Sequence, residues 1–465
     1  MHPDLATDWN LEAEALEVMD EPCPPFEAYY DAERKEYLIR NAEGRWLSQN
    51  ARQFGNRLKN AGIADPAERS RITQYTEDHF DVRYAAPLAG RMAGFYNENG
   101  IRLLVTSSPS FIHPVEGAWS TLRAFLEGLL MNSEEDHGAT QWSVLNAWLK
   151  IAIEALRAGR QQDGQALAIA GERDCGKSLF QHLLTLLLGG RSAKAARYMM
   201  GNTDFNSELF ECEHIMLEDE FMSHSISDRL RLGTAIKNFT VSTQMQSCHR
   251  KGRVAVNLSP WWRVSITLND DAEALQVLPP LDDHIEDKII LLRASRFKLP
   301  METHTPALRE AFGNQLHSEL PAFIYWLIHE FEIPDNLKHR RFGVESWQHP
   351  DLKQELSELA PETQLLGLID EALFGVMGSC KWQGTANELR RDLLQNQATR
   401  RDAEKLLSWT NAPGTYLSRL SAQFPDRFES HRTATRREWI IRRGEDPGPD
   451  DSAPDDTVTD DSPFG

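Results

Sequence analysis

The feature that most constrains this chain is the run Gly171-Glu172-Arg173-Asp174-Cys175-Gly176-Lys177-Ser178, which satisfies G-x-x-x-x-G-K-[ST]. The apolar segment ALAIA precedes it and the apolar segment SLFQHLLTLLLG follows it, so the run sits between a strand and a helix, as this pattern requires. Glycines let the backbone wrap closely, and successive N–H groups together with the positive end of the helix then face one point, the arrangement a row of phosphates needs. Lys177 is placed to bridge the β and γ oxygens and the Ser178 hydroxyl to hold Mg²⁺, with Leu179 the last of the binding residues. By itself the run implies binding of ATP or GTP and nothing more.

The surroundings fit an α/β domain. Segments 164–300 alternate short apolar strands (ALAIA, HIMLED, RVSITL) with helical text, the rhythm of a parallel sheet flanked by helices. Ahead of it, 1–25 is an acidic, Pro-punctuated lead, and 26–110 is a small α/β module of unassigned role. In that module FEAYYDAERKEYLIR and GRWLSQ alternate with the period of a hairpin, ARQFGNRLKNAGI reads as one helix ended by Gly62, and Ile101 to Thr106 as a strand. Helical periodicity marks 111–163 and again 301–354, and a further small domain spans 355–443. The chain is long enough for two to four domains, because single cores stop growing at roughly 250 residues.

Composition narrows the setting. No apolar run approaches the roughly 20 residues a membrane helix needs, and the acidic N-terminus is unlike a signal peptide. The five cysteines are scattered and form no CxxC pair, which points to a reducing, cytoplasmic location and away from a disulfide or zinc framework. The net charge of −20 weighs against broad contact with phosphate backbones. Part of that charge is concentrated, however. Beyond Arg443 there is no Lys or Arg, and eight carboxylates from Glu445 to Asp461 make 444–465 an acidic segment with the composition of a disordered tail. Any nucleic-acid contact must therefore be a local basic patch.

Three further features follow the phosphate-binding run. About 40 residues on, Ile215-Met216-Leu217-Glu218-Asp219-Glu220 sets three carboxylates after an apolar strand. One of them is expected to position Mg²⁺ and a neighbour to polarise the attacking water; Glu218 and Asp219 suit best, Asp219 as the metal ligand, with Glu220 as the spare. Next, VSTQMQSCHRKGRVAVNL has two β-prone arms around His249-Arg250-Lys251-Gly252-Arg253, a basic hairpin tip suited to tracking a phosphate backbone. The strand Val264-Ser-Ile-Thr-Leu then ends in Asn269, an amide able to orient water between phosphate and carboxylate. Read without the others, each is an acidic turn, a solvated tip or a turn-forming Asn.

In this order the elements resemble superfamily 3 helicases, ring-forming AAA+ motors of small DNA viruses, and more closely the helicase part of phage and mobile-element primase-helicases. Viral members carry a Lys-His pair on the hairpin at a similar distance before the Asn; here Lys251 and Arg253 stand 18 and 16 residues before Asn269. The resemblance spans 164–300 and implies an AAA+ core, ATP with Mg²⁺, a hexameric ring, and His249, Arg250, Lys251 and Arg253 gripping single-stranded DNA at a fork. It also implies an arginine finger shortly after the Asn. Lys288 stands there, with Arg293 and Arg296 beyond, so the trans-acting residue is left open among these three. Segment 355–443 (WQGTANELRRDLL, GTYLSRLSAQFPDRF, ESHRTATRREWIIRR) resembles a winged helix, whose Arg432, Arg436 and Arg437 would meet DNA backbone. Nothing before residue 160 resembles a nucleotidyl-transfer site, so a primase or polymerase partner is expected on another polypeptide. Two other readings are a DNA-binding ATPase switch or loader that does not unwind, and a small-molecule P-loop kinase, which the absence of an evident substrate lid disfavours.

Overall fold

The strand Ala166–Gly171 is buried along its whole length, and so is Arg263–Leu268, polar residues included. Continuous burial of this kind marks strands covered on both faces. The computed structural model describes residues 22–98, 100–131, 137–218, 226–241, 245–281, 284–374, 380–432 and 436–443. Within it the two strands are neighbours in a five-stranded sheet with spatial order Ile289–Ala294, Ala166–Gly171, Arg263–Leu268, His214–Glu218, Ser192–Lys194. Every pairing in this sheet is parallel. The C-terminal ends of the strands therefore share one edge, which brings the turns leaving Gly171, Glu218 and Leu268 together, the usual place for a ligand in an open parallel sheet.

The chain forms two compact units, one up to Lys353 and one from Gln354. In the first, the helix Lys177–Leu187 that follows the glycine turn packs with helices Ser120–Leu130, His137–Arg157 and Pro306–His329 into one core that includes Leu167, Ile169, Ile290 and Leu292 of the sheet. The helical lead-in is thus part of the same hydrophobic core as the sheet. Trp119 makes no side-chain cap for the helix Ser120–Leu130. Instead the Glu319 carboxylate, reaching from another helix, accepts from the Leu122 N–H at 2.6 Å and the Thr121 N–H at 3.3 Å, satisfying amides that a helix start leaves open.

The N-terminal part contains the expected hairpin, Ala28–Asp31 against Glu36–Arg40, extended by Trp46–Gln49 and by the parallel strand Asp81–Val82. Ile101–Val105 pairs with Gly94–Glu98 and Tyr84–Ala86 in a separate three-stranded sheet. One helix here went unread in the sequence, Pro66–His79, although Asp65 caps it and Pro66 occupies its first turn. It buries only Ile72 and Thr76, so its apolar stripe is too thin to show as periodicity.

The unit from Gln354 holds helix Pro361–Phe374, strand Lys381–Gly384, helices Ala386–Gln395, Arg400–Leu406 and Ala412–Gln423, then strands Phe428–Arg432 and Arg437–Arg442. The last strand lies between the other two, antiparallel to both. Thr385 and Glu388 form a reciprocal capping box at the start of Ala386–Gln395. No described helix in either unit is long and apolar enough to cross a membrane. The acidic lead up to residue 21, and the tail from residue 444, lie outside the described residues.

Candidate nucleotide site and basic hairpin

Gly171 and Gly176 hold special backbone positions. A Cβ on Gly171 would fall 2.2 Å from the Ala294 carbonyl oxygen, because the two residues are partners across adjacent strands. Gly176 has φ +110°, and Asp174 also lies in the left-handed region at φ 62°, so the turn from strand to helix is tight in the way that needs glycine. A cleft of about 680 Å³ opens on this turn, lined by Arg173 to Leu179 and, from the ends of two other strands, by Glu218 and by Thr267 and Asn269. Motif residues distant in sequence thus share one wall.

Inside it the Lys177 ammonium donates to the carbonyls of Gly171 and Glu172, each at 2.7 Å, and to Asn269 Oδ1 at 3.3 Å. The basic group and the strand-end amide are within one hydrogen bond of each other. Glu218 forms an ion pair with Lys194 of the edge strand, at 2.6 Å, a partner that the sequence reading did not foresee. Ser178 is exposed at the cleft. Asp219 and Glu220 lie outside the described residues. The Cys175 thiol is buried, which pushes its pKa upward against the pull of Lys177, so it sits in the loop as a small apolar group and not as a nucleophile. A tight glycine turn at a helix start, one lysine, one hydroxyl and one carboxylate make a set of groups that fits a nucleoside triphosphate with Mg²⁺.

The basic segment forms the expected hairpin, with Gln246–Cys248 antiparallel to Val256–Leu258 and Gly252 at φ 71° in the turn. Asn206 fastens its first arm, donating to the Ser247 carbonyl at 3.0 Å and accepting from the His249 N–H at 2.7 Å. The four tip residues separate into two pairs. His249 and Lys251 are exposed. Arg253 pairs with Asp31 at 3.2 Å with side chains only 10% and 5% exposed, and Arg250 donates to the Arg83 carbonyl at 2.7 Å, lies over the Tyr84 ring and stands 4.0 Å from Glu33. Both arginines of the tip are therefore held by the N-terminal module.

The three candidates for a trans-acting cation are also distributed. Lys288 is paired with Asp287 at 2.6 Å and Arg293 with Asp351 at 2.7 Å. Arg296 donates to the Arg173 carbonyl at 2.9 Å and stands 3.8 Å from Glu172, on the Gly171 to Ser178 turn of its own chain. In the unit from Gln354, Arg432, Arg436 and Arg437 are exposed; Arg436 pairs with Glu438 at 2.5 Å and Arg437 lies over the Trp439 ring.

No protein-family model matches this chain, and no curated protein matches it. Among solved structures it is similar to the apo form of the NrS-1 C-terminal region, with a TM-score of 0.55 at 13% identity over 92% of this chain and 100% of that one. A second apo structure of that region gives 0.52 at 12% identity, over 90% and 97%. An active helicase, SCCmec type IV Cch, gives 0.30 at 9% identity over 86% and 74%, too slight a likeness to argue from. What the first two establish is a shared fold.

Proposed function

We propose that this chain is an ATP-driven DNA translocase of the superfamily 3 helicase kind, acting on single-stranded DNA in replication of a phage or mobile element. The observation that carries the reading is the convergence of Lys177, Ser178, Glu218 and Asn269 on one cleft, with Lys177 and Asn269 at 3.3 Å. These groups suit hydrolysis, because phosphoryl transfer asks the protein mainly for position and charge. Ser178 and Asp219 would hold Mg²⁺, which neutralises charge on the β and γ oxygens when bound. Lys177 holds the phosphates, Glu218 or Glu220 polarises the water, and Asn269 orients it. Lys251 and His249 supply the exposed part of the DNA contact, and one of Lys288, Arg293 and Arg296 would act on a neighbour in a hexameric ring. The helices and three-stranded antiparallel sheet after Gln354 are read as a winged helix that adds a second DNA contact through the exposed Arg432, Arg436 and Arg437.

The test is unwinding of a forked duplex by the purified chain. Lys177→Ala is expected to abolish both ATP hydrolysis and unwinding. Lys251→Ala, at an exposed position, is expected to weaken single-strand binding and unwinding while leaving DNA-independent hydrolysis in place. Hydrolysis without any strand separation would sink the helicase and favour the second reading, a DNA-binding switch or loader. That alternative has one observation behind it: Arg250 and Arg253 are engaged by the N-terminal module.

A further inference from the structure

Directly behind the cleft lies a closed ring of buried polar groups. Gln181 is 2% exposed and sits on the phosphate-loop helix one turn past Ser178. Its amide Nε2 donates to Ser265 Oγ at 2.9 Å and, at 3.4 Å, to the carbonyl of Leu217. Its Oε1 accepts from the hydroxyl of Thr267 at 3.3 Å. Ser265 Oγ lies 2.8 Å from His214 Nε2, His214 Nδ1 lies 2.8 Å from Thr185 Oγ1, and Thr185 donates to the Gln181 carbonyl at 3.1 Å. One assignment of protons serves every link: Gln181 N–H to Ser265, Ser265 O–H to His214 Nε2, His214 Nδ1–H to Thr185, and Thr185 O–H back to the helix. It requires a neutral imidazole, and burial drives the His214 pKa down to about 3, so the ring is neutral at any working pH.

The partners explain the position. Leu217 precedes Glu218, Thr267 lines the cleft itself, and Asn269 follows two residues later. One side chain on the phosphate-loop helix is thus hydrogen-bonded to the ends of both strands that deliver the other reacting groups. A purely apolar contact would bury these strands equally well but would not fix their sliding along the helix, since dispersion is non-directional and hydrogen bonds are not.

We infer that Gln181 is a positioning residue for hydrolysis, setting the distance between Lys177 on its own helix and Glu218 and Asn269 on the two strands. The inference rests on the ATPase reading above and adds a residue to it. Gln181→Met keeps volume and removes every side-chain hydrogen bond to the strands. Because displacement of about an ångström costs on the order of a hundredfold in rate, kcat should fall at least about tenfold while KM for ATP, and the Kd for ADP, stay within about threefold. A merely structural role would lower the melting temperature and leave the kcat of the folded protein alone. Should Gln181→Met not fold, Thr267→Val removes only the hydroxyl that meets Oε1, and a severalfold loss of kcat at unchanged ADP affinity is expected. Unchanged kcat in a folded Gln181→Met chain, with Lys177→Ala inactive, overturns this inference and leaves the ATPase intact. No hydrolysis by the unaltered chain takes down both.

Discussion

At the residue scale, the groups that were readable are those whose chemistry is announced by a local pattern. Gly171, Gly176 and Lys177 stand in one eight-residue run, and the structure gives each glycine a reason, one a close strand contact and the other a positive φ. Gln181, Thr185, His214 and Ser265 carry no such pattern; their signal is a polar residue where the apolar period of a buried helix or strand calls for another aliphatic. His214 offers a test of its own. Its folded pKa, about 3, lies below the ordinary 6.5, so the unfolded chain binds a proton in that window that the folded chain refuses. Stability from this group is complete above about pH 6.5 and is lost as the pH falls toward the folded value, by roughly 2 kcal/mol at pH 5. Urea midpoints measured from pH 7.5 to 5 should therefore decline more steeply for the unaltered chain than for His214→Gln, and parallel declines would refute the assignment.

At the scale of elements, the strands ALAIA, HIMLE and RVSITL were legible because short runs carrying Ile, Val and Leu between turns, in alternation with helical text, have few alternatives. The hairpin was legible from its arms and its glycine. Where its cations go was not, since the carboxylates that receive them, Asp31 and Glu33, lie more than 200 residues earlier. The Arg253–Asp31 pair is almost wholly buried, and breaking such a pair leaves an uncompensated charge, which costs about 3 kcal/mol. Asp31→Asn and Arg253→Met should each destabilise the chain, with the double variant less harmed than the sum, a coupling of about 1 kcal/mol or more in urea denaturation. The pair Arg400–Glu404, with side chains 67% and 55% exposed, is the control, where a coupling well under about 1 kcal/mol is expected. Equal couplings for both pairs would mean that the hairpin is not anchored through Arg253.

At the scale of the whole molecule, each unit buries apolar residues of its own, one around Phe125, Leu167 and Leu320, the other with Leu389, Leu417, Phe428 and Trp439 buried. Calorimetry should resolve two transitions. ADP with Mg²⁺ at about 100 times its Kd stabilises the protein that binds it by about 2.7 kcal/mol, and the shift should fall on the transition of the unit up to Lys353 alone. Equal shifts of both would contradict a nucleotide site confined to that unit. The fold shared with the NrS-1 C-terminal region, at 13% identity, shows how little of the architecture depends on particular side chains. Taken alone, the sequence was enough for the strand–turn–helix around Gly171 to Ser178, the parallel α/β rhythm and the hairpin, because backbone geometry and burial impose local patterns that survive in one dimension. The tertiary structure alone decided that Lys194 faces Glu218, that Gln181 ties two strands to one helix, and that Arg250 and Arg253 turn to the N-terminal module. Those pairings depend on which distant segments become neighbours, and no local period encodes a contact between residues so far apart.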